Sequence, residues 1–248
     1  MQQPAPAAEA PADSEVPWGI ASAIGSFVLA FAIYISGVSV LFGVNHVSLQ
    51  HHDLVWDLGA YQILVAAVIL CVLLFIAAPY HAGLRSLGYR DSGARIVLLA
   101  AVALVVTFAG IAALQWAFDT FFPSFHLQGN AVQELGKNHH YSLAKKLLVL
   151  AWAAIEAPLT EETLFRGIVY QGLRHLFRRV IPLDLAIFFA ALVSGALFGL
   201  AHGEPQSAPI LIFMGVVLAY VFEYGKSIYA SALVHGVINA ISVIYILG

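Results

Sequence analysis

Glu161, Glu162 and Arg166 put three ionisable side chains within six residues of a stretch that is otherwise apolar, with LLVLAWAAIEAPL before it and IVYQGL after it. Charges in hydrocarbon are costly and are kept there to pair or to function. Glu162 and Arg166 are four apart, so a helix sets them on one face in the order that favours an ion pair. Glu161 is turned about 100° from Glu162 on a helix of 3.6 residues per turn. Arg166 therefore cannot serve both equally, and Glu161 is left as the free carboxylate, a candidate proton acceptor. The plainer alternative is a buried ion-pair cluster that fixes helix register. Pro158, just upstream, removes a backbone donor and is expected to kink and loosen the helix where water could enter.

Two more polar motifs follow on later apolar segments. Phe198-Gly199-Leu200-Ala201-His202 closes one of them, and Gly195, Gly199 and Gly203 recur every fourth residue as a stripe that lets a neighbouring helix come close. His235 and Asn239 lie at i and i+4 near the carboxy terminus, so both point the same way from an apolar helix and imply a polar neighbour. Taken singly, each reads as well as an interhelical hydrogen-bonding residue. Together they supply a carboxylate, two imidazoles and an amide, the groups needed for acid–base chemistry.

The elements that must position these groups are membrane helices. The 248 residues are 61% hydrophobic and 10% charged, against about 25% charged in soluble domains. The net charge of -3 gives no basic field for nucleic acid, which is not an expected partner. A spanning helix needs about 20 mainly apolar residues. Stretches of that kind run approximately over Pro17–Gly43, Leu58–Ala78, Arg95–Phe118, Pro182–Ala201 and Ile228–Leu247, with a short one at Pro209–Glu223. Lys145–Gly172 is the seventh, and its charges would hide it from hydropathy alone. The expected fold is all-α: a polytopic bundle of about seven transmembrane helices (six to eight) around an intramembrane polar cavity. Residues 1–16, rich in Ala and Pro, are expected to be a disordered tail, and 17–248 a single membrane domain. Cys71 has no partner for an intramolecular disulfide and is expected to face lipid or fill the core.

Arg85, Arg90 and Arg95, then Arg174, Arg178 and Arg179, then Lys226 all fall on one side of a seven-span topology. That side is expected to be cytoplasmic, with the amino terminus inside and the protein multi-pass in the cell membrane. Lys137, Lys145 and Lys146 oppose this assignment. His46, His51, His52, His126, His139 and His140 fall in the predicted outer loops and are expected to be solvated.

A Glu-Glu-x-x-x-Arg helix, then Phe-x-x-x-His, then His-x-x-x-Asn, on successive membrane segments, resembles the CAAX protease and bacteriocin-processing (CPBP, or Abi) family of intramembrane endopeptidases. The resemblance covers about residues 156–240 and includes Leu164-Phe165-Arg166-Gly167. It implies a peptidase in which Glu161 and His202 activate a water, His235 and Asn239 stabilise the oxyanion, and Glu162 and Arg166 support them. The substrate would be a membrane-associated or prenylated peptide or protein, met among membrane lipids, with no cofactor. Amide hydrolysis needs such a base, and donors aimed at the developing negative oxygen. The alternatives are a zinc protease with Glu161, His202 and His235 as ligands, or a non-catalytic transporter, immunity or scaffold protein. Counting 1.5 Å per residue puts Glu162 roughly 18 Å from Arg174, His235 roughly 14 Å from Lys226 and His202 roughly 27 Å from Asp184. On that count His202 lies further outward than the other two, unless its helix tilts or residues 203–208 dip inward.

Overall fold

The computed structural model describes residues 16–46, 54–91, 93–127 and 141–247. Residues 1–15, Lys137, His51, His52, His139 and His140 lie outside these. Among the described residues there are eight helices: α1 (Ile20–Val44), α2 (Leu54–Tyr80), the short α3 (Leu84–Leu87), α4 (Arg95–Phe121), α5 (143–177), α6 (Leu183–Ala201), α7 (Ala208–Gly225) and α8 (Ile228–Leu247). Six of them are long and apolar enough to cross a membrane, and the exception among the long helices is α5. It fails on composition, because Glu156, Glu161 and Glu162 fall in its apolar middle. The protein is a multi-pass membrane helix bundle.

The helices differ in what covers them. In α1 and α4 only 11% and 17% of the most apolar stretch is buried inside the protein, against 56% and 50% in α7 and α8. Side chains such as Ile35, Val40, Val97, Leu98 and Val105 point outward, where only lipid can cover them. The centre belongs to α5, α7 and α8. Cys71 is fully buried between α2 and α1, with its thiol on the Ser26 carbonyl at 3.3 Å, and so fills the core.

Close helix contact follows the small residues. At Gly195 an added Cβ would stand 2.8 Å from the Val216 nitrogen, and at Gly199 2.7 Å from that of Ile212, so α6 and α7 touch backbone to backbone. Gly203 is not part of that seam. It adopts φ +69 just past the end of α6 and meets nothing within 4 Å, so its use is to stop the helix in a left-handed turn.

Helix α5 is irregular where its carbonyls are used by neighbours. Pro158 cannot donate to the Ala154 carbonyl four residues back, and π-helical turns occupy Trp152–Glu156 and Thr163–Tyr170 on either side of Ala157–Glu162. Residues outside α5 supply donors to this stretch: Asn239 to Ala153 at 3.0 Å, Tyr61 to Ala157 at 3.2 Å, Ser194 to Phe165 at 3.1 Å and, from just before α1, Trp18 to Ile168 at 3.3 Å. Irregular backbone inside a membrane protein survives where protein groups satisfy it.

The basic segments collect at one end. Ile228 N–H donates to the Gly88 carbonyl at 2.8 Å, Ser227 reaches the Arg90 carbonyl, and Arg174 and Lys226 both bind Glu223. At the opposite end Lys146 bonds the Leu247 carbonyl. His46 and His126, at loop ends, are exposed.

Candidate active site

The middle of α5 faces α8 across a gap closed by Gly236, whose added Cβ would stand 2.2 Å from the Ala154 carbonyl. That close approach puts His235 against both carboxylates. Arg166 Nη1 pairs with Glu162 Oε1 at 3.0 Å, both side chains wholly buried, and Arg166 Nη2 also donates to the Gly215 carbonyl at 3.0 Å. The Phe198 ring lies 4.7 Å from the guanidinium, near enough for a cation–π contact.

Glu162 holds a second partner on the same oxygen: His235 Nδ1 donates to Oε1 at 3.2 Å. The other ring nitrogen, Nε2, stands 3.8 Å from Glu161 Oε2. That is longer than a hydrogen bond. With Nδ1 committed to Glu162, Nε2 accepts in the neutral ring and donates in the imidazolium. Glu162 is thus more than a partner for Arg166, because it sets which nitrogen His235 turns to Glu161.

Glu161 is the less enclosed carboxylate, its side chain 16% exposed where that of Glu162 is 0%. Its Oε1 accepts from the Tyr61 hydroxyl at 3.2 Å, and its Oε2 is buried without a hydrogen-bond partner. His202 is turned by its own helix: Nδ1 donates to the Phe198 carbonyl at 2.8 Å, leaving Nε2 with the lone pair in the neutral ring. The Phe198 ring carries both imidazoles edge-on, with centroids 4.9 Å from His202 and 5.6 Å from His235.

The depth count set His202 outward of Glu162 and His235; in the structure one ring, Phe198, touches both imidazoles, so His202 lies beside His235 across that ring. Asn239 spends one N–H on the Ala153 carbonyl, while its Oδ1 is buried without a partner. The structure therefore brings Glu161, Glu162, Arg166 and His235 into one cluster, sets His202 beside it across Phe198, and engages Asn239 with the α5 backbone.

Zinc held by three protein ligands needs donor atoms roughly 3.3 Å apart around one point. Among the described residues, no three His, Cys, Asp or Glu side chains are grouped in a way that could hold a metal ion.

Sequence reasoning missed two contributors. Tyr61 comes from α2, far upstream; its signal was the run Asp57, Tyr61 and Gln62 in an otherwise apolar helix. Tyr89, in the loop before α4, donates to Thr163 at 2.6 Å at the start of the second π stretch. Burial pushes its phenol pKa up, so it stays a neutral donor.

A multi-pass membrane protein with a buried carboxylate–histidine cluster is the class that this fold and site define. Residues 143–241 match the family described as type II CAAX prenyl endopeptidase Rce1-like. All three motifs lie within that matched range. A Bacillus subtilis (strain 168) protein named "Putative membrane peptidase YdiL" is 27% identical over 97 residues, 39% of this chain and 36% of that protein. The chain so covers little more than a third of that relative's length. No solved structure matches.

Proposed function

We propose that this protein is an intramembrane endopeptidase that hydrolyses a peptide bond of a membrane-associated or prenylated substrate by a metal-free glutamate mechanism. The observation that carries the reading is the difference between adjacent carboxylates: Glu162 is sealed, whereas Glu161 is 16% exposed with one oxygen unbound. A base must reach water, and of the two side chains only that of Glu161 has any exposure.

Glu161 Oε2 takes a proton from water as the water oxygen attacks the scissile carbonyl, and the proton passes to the leaving amide nitrogen. His202 presents its Nε2 lone pair as the second group that orients the water. His235 donates through Nε2 to the oxyanion once its ring carries a second proton, and Asn239 offers the N–H it does not spend on Ala153. Glu162 and Arg166 hold His235 and neutralise each other.

The test uses purified protein in proteoliposomes with a farnesylated, internally quenched CAAX-type peptide and its unprenylated counterpart. Glu161→Ala and His202→Ala should insert and fold yet cleave neither. Near-wild-type cleavage by Glu161→Ala would end the proposal. Cleavage should also survive exhaustive chelation; complete loss restored only by zinc would replace the metal-free mechanism by the zinc one.

A further inference from the structure

Tyr61 lies in α2, outside residues 143–241, in the part of the chain that the family match does not cover. It is nearly buried, and its ring is held edge-on by Trp152 at a centroid distance of 5.3 Å. Trp152 itself opens the first π stretch of α5. The hydroxyl has two acceptors, the Ala157 carbonyl and Glu161 Oε1, each at 3.2 Å. A clamped ring fixes where that O–H points.

The consequence falls on Glu161. A glutamate carboxyl turns broadly about its last torsion, which would leave either oxygen to face the histidines. With Oε1 tied to Tyr61, the oxygen near His235 Nε2 is Oε2. We infer that Tyr61 is a positioning residue for the reacting carboxylate, binding Oε1 so that Oε2 is the proton acceptor, and that the first half of the chain therefore completes the site. This rests on the peptidase reading for its kinetic consequence, but the bond to Glu161 can be tested apart from it.

An internal control exists one residue away. Gln62 joins the same two helices through Glu156 at 2.9 Å without touching Glu161. Were Tyr61 only a tie between α2 and α5, Tyr61→Phe and Gln62→Ala would behave alike. Infrared difference spectra of the purified protein in proteoliposomes identify the Glu161 carboxylate stretch as the band lost in Glu161→Gln. Tyr61→Phe should shift that band and Gln62→Ala should not. With the farnesylated peptide, Tyr61→Phe should lower kcat about 10–10²-fold at unchanged KM, as expected for one lost hydrogen bond to a charged group, and Gln62→Ala should leave kcat within about twofold. An unmoved band, or a kcat for Tyr61→Phe equal to that of Gln62→Ala, overturns the inference. Should Tyr61→Phe fail to accumulate, 3-fluorotyrosine at position 61 keeps ring and hydroxyl while strengthening the donor, and must move the same band. Cleavage by Glu161→Gln together with a shifted band would sink the glutamate mechanism and leave the Tyr61–Glu161 bond standing.

Discussion

Two buried carboxylate clusters lie along α5, and they are finished differently. At the basic end, Glu223 receives Tyr170 on Oε2 at 2.9 Å, and Arg174 at 3.1 Å together with Lys226 on Oε1. Both of its oxygens are bound. At the middle, Glu162 takes Arg166 and His235 on a single oxygen, and Glu161 has Tyr61 on one, so Oε2 of each glutamate is buried without a hydrogen bond. Native proteins rarely leave buried polar atoms unpaired, and such exceptions gather at functional sites. A satisfied carboxylate braces helices, whereas one with an open lone pair facing an imidazole nitrogen at 3.8 Å is available to react.

The contrast can be broken most sharply at Glu161. Glu161→Gln keeps size and a hydrogen-bonding oxygen but removes the base, so kcat for the farnesylated peptide should fall by about 10²–10⁴-fold, with the detergent melting curve near that of wild type. Arg166→Met comes next. It strands Glu162 as an uncompensated buried charge, which typically costs about 3–5 kcal/mol, and loss of accumulation in membranes or a large drop in melting temperature would report it. Glu223→Gln sharpens the comparison from the other side: about 1–3 kcal/mol of stability should be lost, while kcat stays unchanged. A catalytic defect in Glu223→Gln at full folding would erase the distinction between the clusters. A catalytic loss well short of that of Glu161→Gln is expected at the α5–α8 seam. Gly236→Ala must push α8 off the Ala154 carbonyl, an overpacking cost of about 1–3 kcal/mol, and should lower kcat by displacing His235 with little change in KM.

Much of this was legible in the residues themselves. The Glu162–Arg166 pair followed from i, i+4 spacing, since a helix of 3.6 residues per turn allows no other arrangement on one face, and the same arithmetic singled out Glu161. The apolar helices followed from composition. The Gly195–Gly199 seam did too, but Gly203 did not join it, because a four-residue period does not reveal where a helix stops. Pro158 announced a disturbance in α5 without saying that Asn239 would bond the nearby Ala153 carbonyl.

Long-range pairing was not legible. That His235 would give Nδ1 to Glu162 depends on how closely α8 approaches α5, which Gly236 and the Ala154 carbonyl set between them. The place of His202 depended on the Phe198 ring that separates it from His235, which spacing along α6 alone does not give. Tyr61 was invisible as a site residue because its partner lies a hundred positions away. Spacing along one helix is fixed by covalent geometry, so the sequence alone determined the membrane class, the three motifs and the unpaired glutamate. Distances between helices are set by the packing of whole faces, so only the tertiary structure decided which imidazole nitrogen meets Glu161 and which hydroxyl holds it.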